Sequence, residues 1–110
     1  MDVFTQLYIE TILWAELDDT RPLDEKYNQA SFAPETIQRI QADCKRFQEE
    51  NPEVHENPSL GGYHFWLQRN GHGAGFRDGD WECEGKLANA GLAFGRLDLY
   101  VGDDGLLYFL

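Results

Sequence analysis

Residues 69–76 read RNGHGAGF, with glycine at the alternate positions 71, 73 and 75. This run dictates a chain reversal. Asn70-Gly71 accommodates the positive φ angles of a tight turn, and Gly73 and Gly75 let the following segment kink or bulge. Whatever precedes the run must therefore meet whatever follows it. Before it, YHFWLQRN alternates Tyr63, Phe65 and Leu67 against His64, Trp66 and Gln68, the period of a strand with large side chains on both faces. Ala74 to Asp78 is then the expected hairpin partner. A second hairpin is expected at the end of the chain. There Leu97, Leu99 and Val101 alternate with Asp98 and Tyr100, Asp104-Gly105 supplies the turn, and LLYFL returns.

The rest of the chain carries helical periods. In residues 3–17, Phe4, Leu7, Tyr8, Ile12 and Trp14 make a broad apolar stripe behind Asp2 as the cap. In APETIQRIQADCKRFQEEN, Pro34 fits the first turn and Ile37, Ile40, Cys44 and Phe47 form one narrow stripe, which Asn51-Pro52 ends. Between Glu82 and Phe94, Leu87, Ala90 and Phe94 recur at helical spacing before Gly95, against the weakening effect of Gly85 and Gly91. Residues 18–32 and 51–62, rich in acids, proline or glycine, read as connecting loops. The expected order is helix, helix, hairpin, helix, hairpin. The expected fold is one α+β domain over residues 1–110, with a four-stranded antiparallel sheet, helices packed on one face and aromatic residues on the other. That second face would suit a partner or a homodimer.

Charge narrows the classes of partner. The net charge is −11 on 110 residues, and the first 60 residues hold 13 of the 20 acids. Such a surface repels nucleic acid and anionic lipid and attracts basic proteins. No run of about 18 apolar residues spans a membrane, and no basic segment precedes an apolar one as in a secretory signal. The expected location is the cytoplasm. Cys44 and Cys83 stand alone and read as reduced thiols, with a disulfide as the alternative.

Candidate chemistry centres on three histidines. His72 between two glycines is either a turn residue or a base oriented by Asp78 or Asp98. His64, His72 and Asp78, with Asp80 nearby, are the residue types of a metal site or hydrolase, although their spacing matches no recognised ligand set. His55 reads as surface. The glycine run lacks the lysine and Ser/Thr of a nucleotide loop, so no cofactor is expected. Arg69, Arg77, Trp66 and Trp81 have the composition of a single-strand-binding module, which the net charge opposes.

YHFWLQRNGHGAGFRD followed by LDLYVGDDGLLY resembles a family of small proteins from bacteriophages and prophage-like or plasmid DNA. Its pattern is an HDFWLTRNGHGAGFWDR stretch, a helix, and VDLYVGDDGKIY. YIETILWAELDD, PLDEKY and APETIQRIQADCKRF extend the resemblance over nearly the whole chain. Arg77 departs from the pattern where tryptophan is usual, and no acid follows His64. The resemblance implies a mobile-element origin and a location in the host cytoplasm, and carries no activity or catalytic residue with it. The signature loop comprises Trp66, Arg69, Asn70, Gly71, His72, Gly73, Gly75 and Phe76. The expected function is a non-enzymatic acidic protein that binds a host protein with a basic surface and makes no direct contact with nucleic acid or membrane. In its sharpest form it inhibits a nucleic-acid-binding defence complex, with Asp18, Asp19, Asp24, Glu25, Glu49 and Glu50 making the charge contacts.

Overall fold

The computed structural model describes all 110 residues. Four helices form the body: α1 (Val3–Ala15), α2 (Pro34–Glu50), α3 (Pro58–Arg69) and α4 (Glu84–Phe94). Two separate antiparallel hairpins complete it. One pairs β1 (Leu17–Asp18) with β2 (Arg21–Pro22), and the other pairs β3 (Leu99–Val101) with β4 (Leu107–Phe109). Short 3-10 turns lie at Leu23–Glu25, Gln29–Ser31 and Pro52–Glu56. The class is α+β, and no helix is long and apolar enough to cross a membrane.

Three helices form where their periods place them. Asp2 caps α1, its carboxylate accepting the Thr5 N–H at 2.8 Å. Pro34 opens α2, and its stripe buries Ile40, Cys44 and Phe47 completely. Gly95, at φ +79°, ends α4. α1 and α2 run antiparallel: Gln48 near the end of α2 donates to Asp2 at the start of α1, and Phe4 stacks on Phe47. The core is aromatic, with Phe4, Tyr8, Phe47, Phe65, Trp66 and Phe76 all fully buried. Phe47 and Phe65 stack with centroids 4.1 Å apart. Cys44 and Cys83 are unpaired.

The expected four-stranded sheet does not exist. Residues 63–69, read as a strand, are the second half of α3, and Ala74 to Asp78 form turns rather than a partner strand. The reversal at the glycine run is real, but it joins a helix to an irregular loop. The misreading has a physical source. Tyr63 to Gln68 are apolar or half-apolar at every position, and such a run satisfies both periods. The helical signal lies upstream, in the stretch taken for a loop. Asn57 caps α3 through Leu60 N–H at 3.2 Å, with Pro58 in the first turn. Gly61 and Gly62, Phe65 and Trp66, then Arg69 follow at intervals of four, one helical face. Gly61 and Gly62 are there because α3 lies directly against α1. A Cβ on Gly62 would sit 2.0 Å from the Phe4 carbonyl oxygen, and one on Gly61 would sit 3.0 Å from the Phe4 ring.

The hairpins share one end of the molecule. β1 follows α1 directly, and β4 is tied to the start of α2. The Leu107 carbonyl accepts the Ala33 N–H at 3.1 Å and the Thr36 hydroxyl at 2.9 Å, and Phe32 bridges to Leu107 in parallel.

The helix contact makes a sharp prediction. Gly62→Ala must push α3 off α1 and should lower stability in urea denaturation by about 2–4 kcal/mol, beyond ordinary overpacking because the clash is with backbone. Gly85→Ala, whose Cβ would meet only the Arg77 guanidinium at 3.9 Å, should instead be neutral or stabilise by up to about 1 kcal/mol.

Candidate functional site

Arg69 is the most deeply committed residue of the signature. Its side chain is buried, and four of its five N–H groups are bonded. Nε donates to the Gly95 carbonyl at 2.8 Å and Nη2 to the Phe94 carbonyl at 3.0 Å. Nη1 donates to Asp43 Oδ2 at 2.9 Å and to the Tyr8 hydroxyl at 3.1 Å. The guanidinium lies 5.4 Å from the Phe65 centroid and 5.5 Å from that of Phe94. Burial pushes the Tyr8 phenol far up, so it stays neutral and accepts from the cation. One side chain thus holds α1, α2, α3 and the carbonyl end of α4, where the helix dipole favours a cation.

The other signature residues secure the loop. Asn70 donates to the Trp66 carbonyl at 3.0 Å and accepts the Leu97 N–H at 2.9 Å, fixing the chain that leaves α4. Gln68 accepts the Phe76 N–H at 3.2 Å, and Gly75, at φ +149°, leaves room for Gln68 where a Cβ would come within 2.8 Å. Gly71 and Gly73 have φ of +67° and +78° in open space, so only backbone conformation requires them. His72 Nε2 meets Glu16 Oε2 at 2.6 Å, and the Trp66 indole donates to the same oxygen at 3.0 Å. The carboxylate that orients His72 is therefore Glu16, not Asp78 or Asp98. Residues 56 apart in the chain gave no sequence signal for this pairing.

His64 lies elsewhere, so His64, His72 and Asp78 do not converge. His64 is buried between α3 and the loop, and its Nδ1 accepts the Trp81 indole N–H at 2.9 Å. Its Nε2 is 3.9 Å from Asp78 Oδ2 and 3.9 Å from Asp80 Oδ2. This geometry does not suit a metal. An indole N–H only donates, so Nδ1 presents its lone pair to Trp81 and the neutral ring carries its proton on Nε2, the atom facing the carboxylates. Ligation there would require both ring nitrogens deprotonated. Burial holds the His64 pKa below its ordinary 6.5, against the upward pull of Asp78 and Asp80. Of the four residues of the stacking reading only Arg77 is exposed; Arg69, Trp66 and Trp81 all lie inside the protein, so the indoles offer no face for a base to stack on.

The six acids expected to act together fall into two groups. Asp18 and Asp19 are on the β1–β2 hairpin, and Asp24 and Glu25 are on the turn after it. Glu49 and Glu50 are at the far end of α2, beside the start of α1. Arg46 pairs with Glu50 at 3.1 Å, and Arg21 with Glu25 at 3.5 Å. The β3–β4 turn brings two acids that sequence reasoning left out of the group, Asp103 and Asp104. Hydrogen bonds from the Tyr108 hydroxyl and the Leu106 N–H keep the Asp104 carboxyl below the usual carboxylate range, and so charged. Leu17, Tyr100 and Val101 stand exposed in the same region, at 61%, 45% and 39%. A cleft of about 70 Å³ between Leu17–Asp18 and Leu99–Val101 has Leu23 and Leu107 in its wall. The chain matches no protein-family model, no curated protein and no solved structure.

Two predictions follow from this geometry. Arg69→Met leaves the Asp43 carboxylate inside with only Arg39 beside it and should cost about 3–5 kcal/mol in urea denaturation; a surface arginine would cost almost nothing. His64 gives a pH signature. Its folded pKa is lowered, so the unfolded chain binds the proton more readily. Its contribution is complete above about pH 6.5, the unfolded value, and declines as pH falls below it. Stability measured from pH 7.5 down to about 5.5 should fall in the wild type, with a change in Trp81 fluorescence, and this component should vanish in His64→Gln.

Proposed function

We propose that this is a non-enzymatic interaction protein whose hairpin end docks on a basic surface of another protein. One observation carries the reading: exposed Leu17, Tyr100 and Val101 lie among Asp18, Asp19, Asp103 and Asp104 at the end where both hairpins meet. Apolar side chains of this size supply contact energy, tyrosine above all. Carboxylates around them speed encounter with a basic partner and disfavour acidic ones. The two functions occupy one small surface while the signature residues hold the body together.

Combined with the resemblance to mobile-element proteins, the sharpest form of this reading is an inhibitor of a nucleic-acid-binding host complex, of the CRISPR-effector or restriction-enzyme kind. Spaced carboxylates would take the place of phosphates on its basic channel. Charge complementarity supports this form, and the apolar centre supports a protein rather than a small ion as the partner.

The test is capture from host lysate with tagged wild type, the hairpin variant D18N/D19N/D103N/D104N and the far-end variant E49Q/E50Q. One dominant basic partner should be retained by wild type and E49Q/E50Q, lost by the hairpin variant, and weakened as salt rises. Equal capture by all three would overturn the reading.

A further inference from the structure

The β3 strand has one open edge. Leu110 N–H bonds to the Asp98 carbonyl at 2.9 Å, and Gly102 N–H to the Leu106 carbonyl at 2.8 Å. In an antiparallel ladder, bonded and non-bonded pairs alternate. Residues 98, 100 and 102 therefore face β4, and the N–H and C=O groups of Leu99 and Val101 point away from it. On β4 the equivalent outward carbonyl, that of Leu107, is taken by Ala33 and Thr36. On β3 the four outward groups have no partner within the chain. An edge of this kind is a template for another strand.

The surroundings define what fits. Leu99, Val101 and Leu107 share the inner face of the hairpin, which borders the cleft beside Leu17 and Leu23. Tyr100 and Tyr108 stack on the outer face with centroids 5.5 Å apart, beside Asp103 and Asp104. A strand added to β3 would alternate likewise, sending every second side chain toward the apolar cleft and the others toward the acidic side.

We infer that β3 is a strand-docking edge, taking an extended partner segment in which apolar residues alternate with lysine or arginine. This rests on the reading of the hairpin end as the interaction surface. Charge selects the occupant. A second copy of this chain would bring the same aspartates face to face, whereas a basic segment neutralises Asp18, Asp103 and Asp104.

The experiment uses the isotope-labelled full chain and the peptide acetyl-Lys-Val-Lys-Val-Lys-amide, titrated to millimolar concentration by NMR. A second peptide has the backbone nitrogens that would face β3 methylated. The unmodified peptide should shift the Leu99 and Val101 amides and slow their hydrogen exchange. Each blocked amide should weaken binding up to roughly tenfold. Val101→Pro, which removes one outward N–H and no ladder bond, should abolish the protection with β4 intact. Equal binding of both peptides, with shifts at the aspartates alone, would overturn strand addition while leaving the acidic docking surface standing. No binding of either peptide to this end would count against both. A concentration-dependent dimer protected at β3 without peptide would replace the basic segment by a second copy.

Discussion

The four helices meet on one buried charge. The Arg69 guanidinium is buried, so its N–H groups need protein partners or destabilise the fold, and four of the five have one. Those partners come from everywhere: Tyr8 on α1, Asp43 on α2, and the Phe94 and Gly95 carbonyls at the end of α4. An apolar residue at this position would let the helices slide and repack. A planar cation with fixed bond directions allows one arrangement, because carbonyls displaced by an ångström no longer accept. Gly61 and Gly62 complement it by letting α3 approach α1 closely enough for the arginine to span to α2.

From that fixed point the loop after α3 follows. Asn70, one residue on, locks the strand approach at Leu97. Glu16, at the end of α1, is caught between Trp66 and His72. His64 and Trp81 anchor the far side of the loop. A motif rich in histidine, arginine and tryptophan has the composition of a reactive centre, yet here each polar atom that matters is turned on another part of the same chain. The density of chemistry in RNGHGAGF reflects the number of bonds needed to hold a loop without secondary structure of its own.

This explains what the sequence disclosed and what it concealed. The helices at Val3–Ala15, Pro34–Glu50 and Glu84–Phe94 were legible because caps, stripes and stops are local. The closing hairpin was legible because Asp104-Gly105 sits between alternating runs. The helix at Pro58–Arg69 was hidden: its N-terminal half is marked by proline and glycine, which signal loops unless the close neighbour that demands them is known. Arg69 read as part of a single-strand-binding composition, since a buried arginine needs partners that only tertiary structure supplies. The acidic site was half legible. Asp18 and Asp19 stood out as charges, but their union with Asp103 and Asp104, some 85 residues on, depends on the tether between Leu107 and the start of α2.

The hairpin end differs in kind from this scaffold. Its strands are two or three residues long, and they reach the core mainly through Leu107 and through Phe109, which stacks on Trp66. Asp19 sits at φ +60°, a conformation uncommon outside glycine. On a chain of net charge −11, gathering further carboxylates beside exposed leucine, tyrosine and valine opposes folding through self-repulsion and leaves apolar surface wet. None of these features helps the helical body, whose centre is complete without them. A basic apolar partner would relieve both the repulsion and the wet apolar surface, which supports the proposed reading of this end as a docking surface. The helices hold the hairpins in place, and the hairpins present the surface.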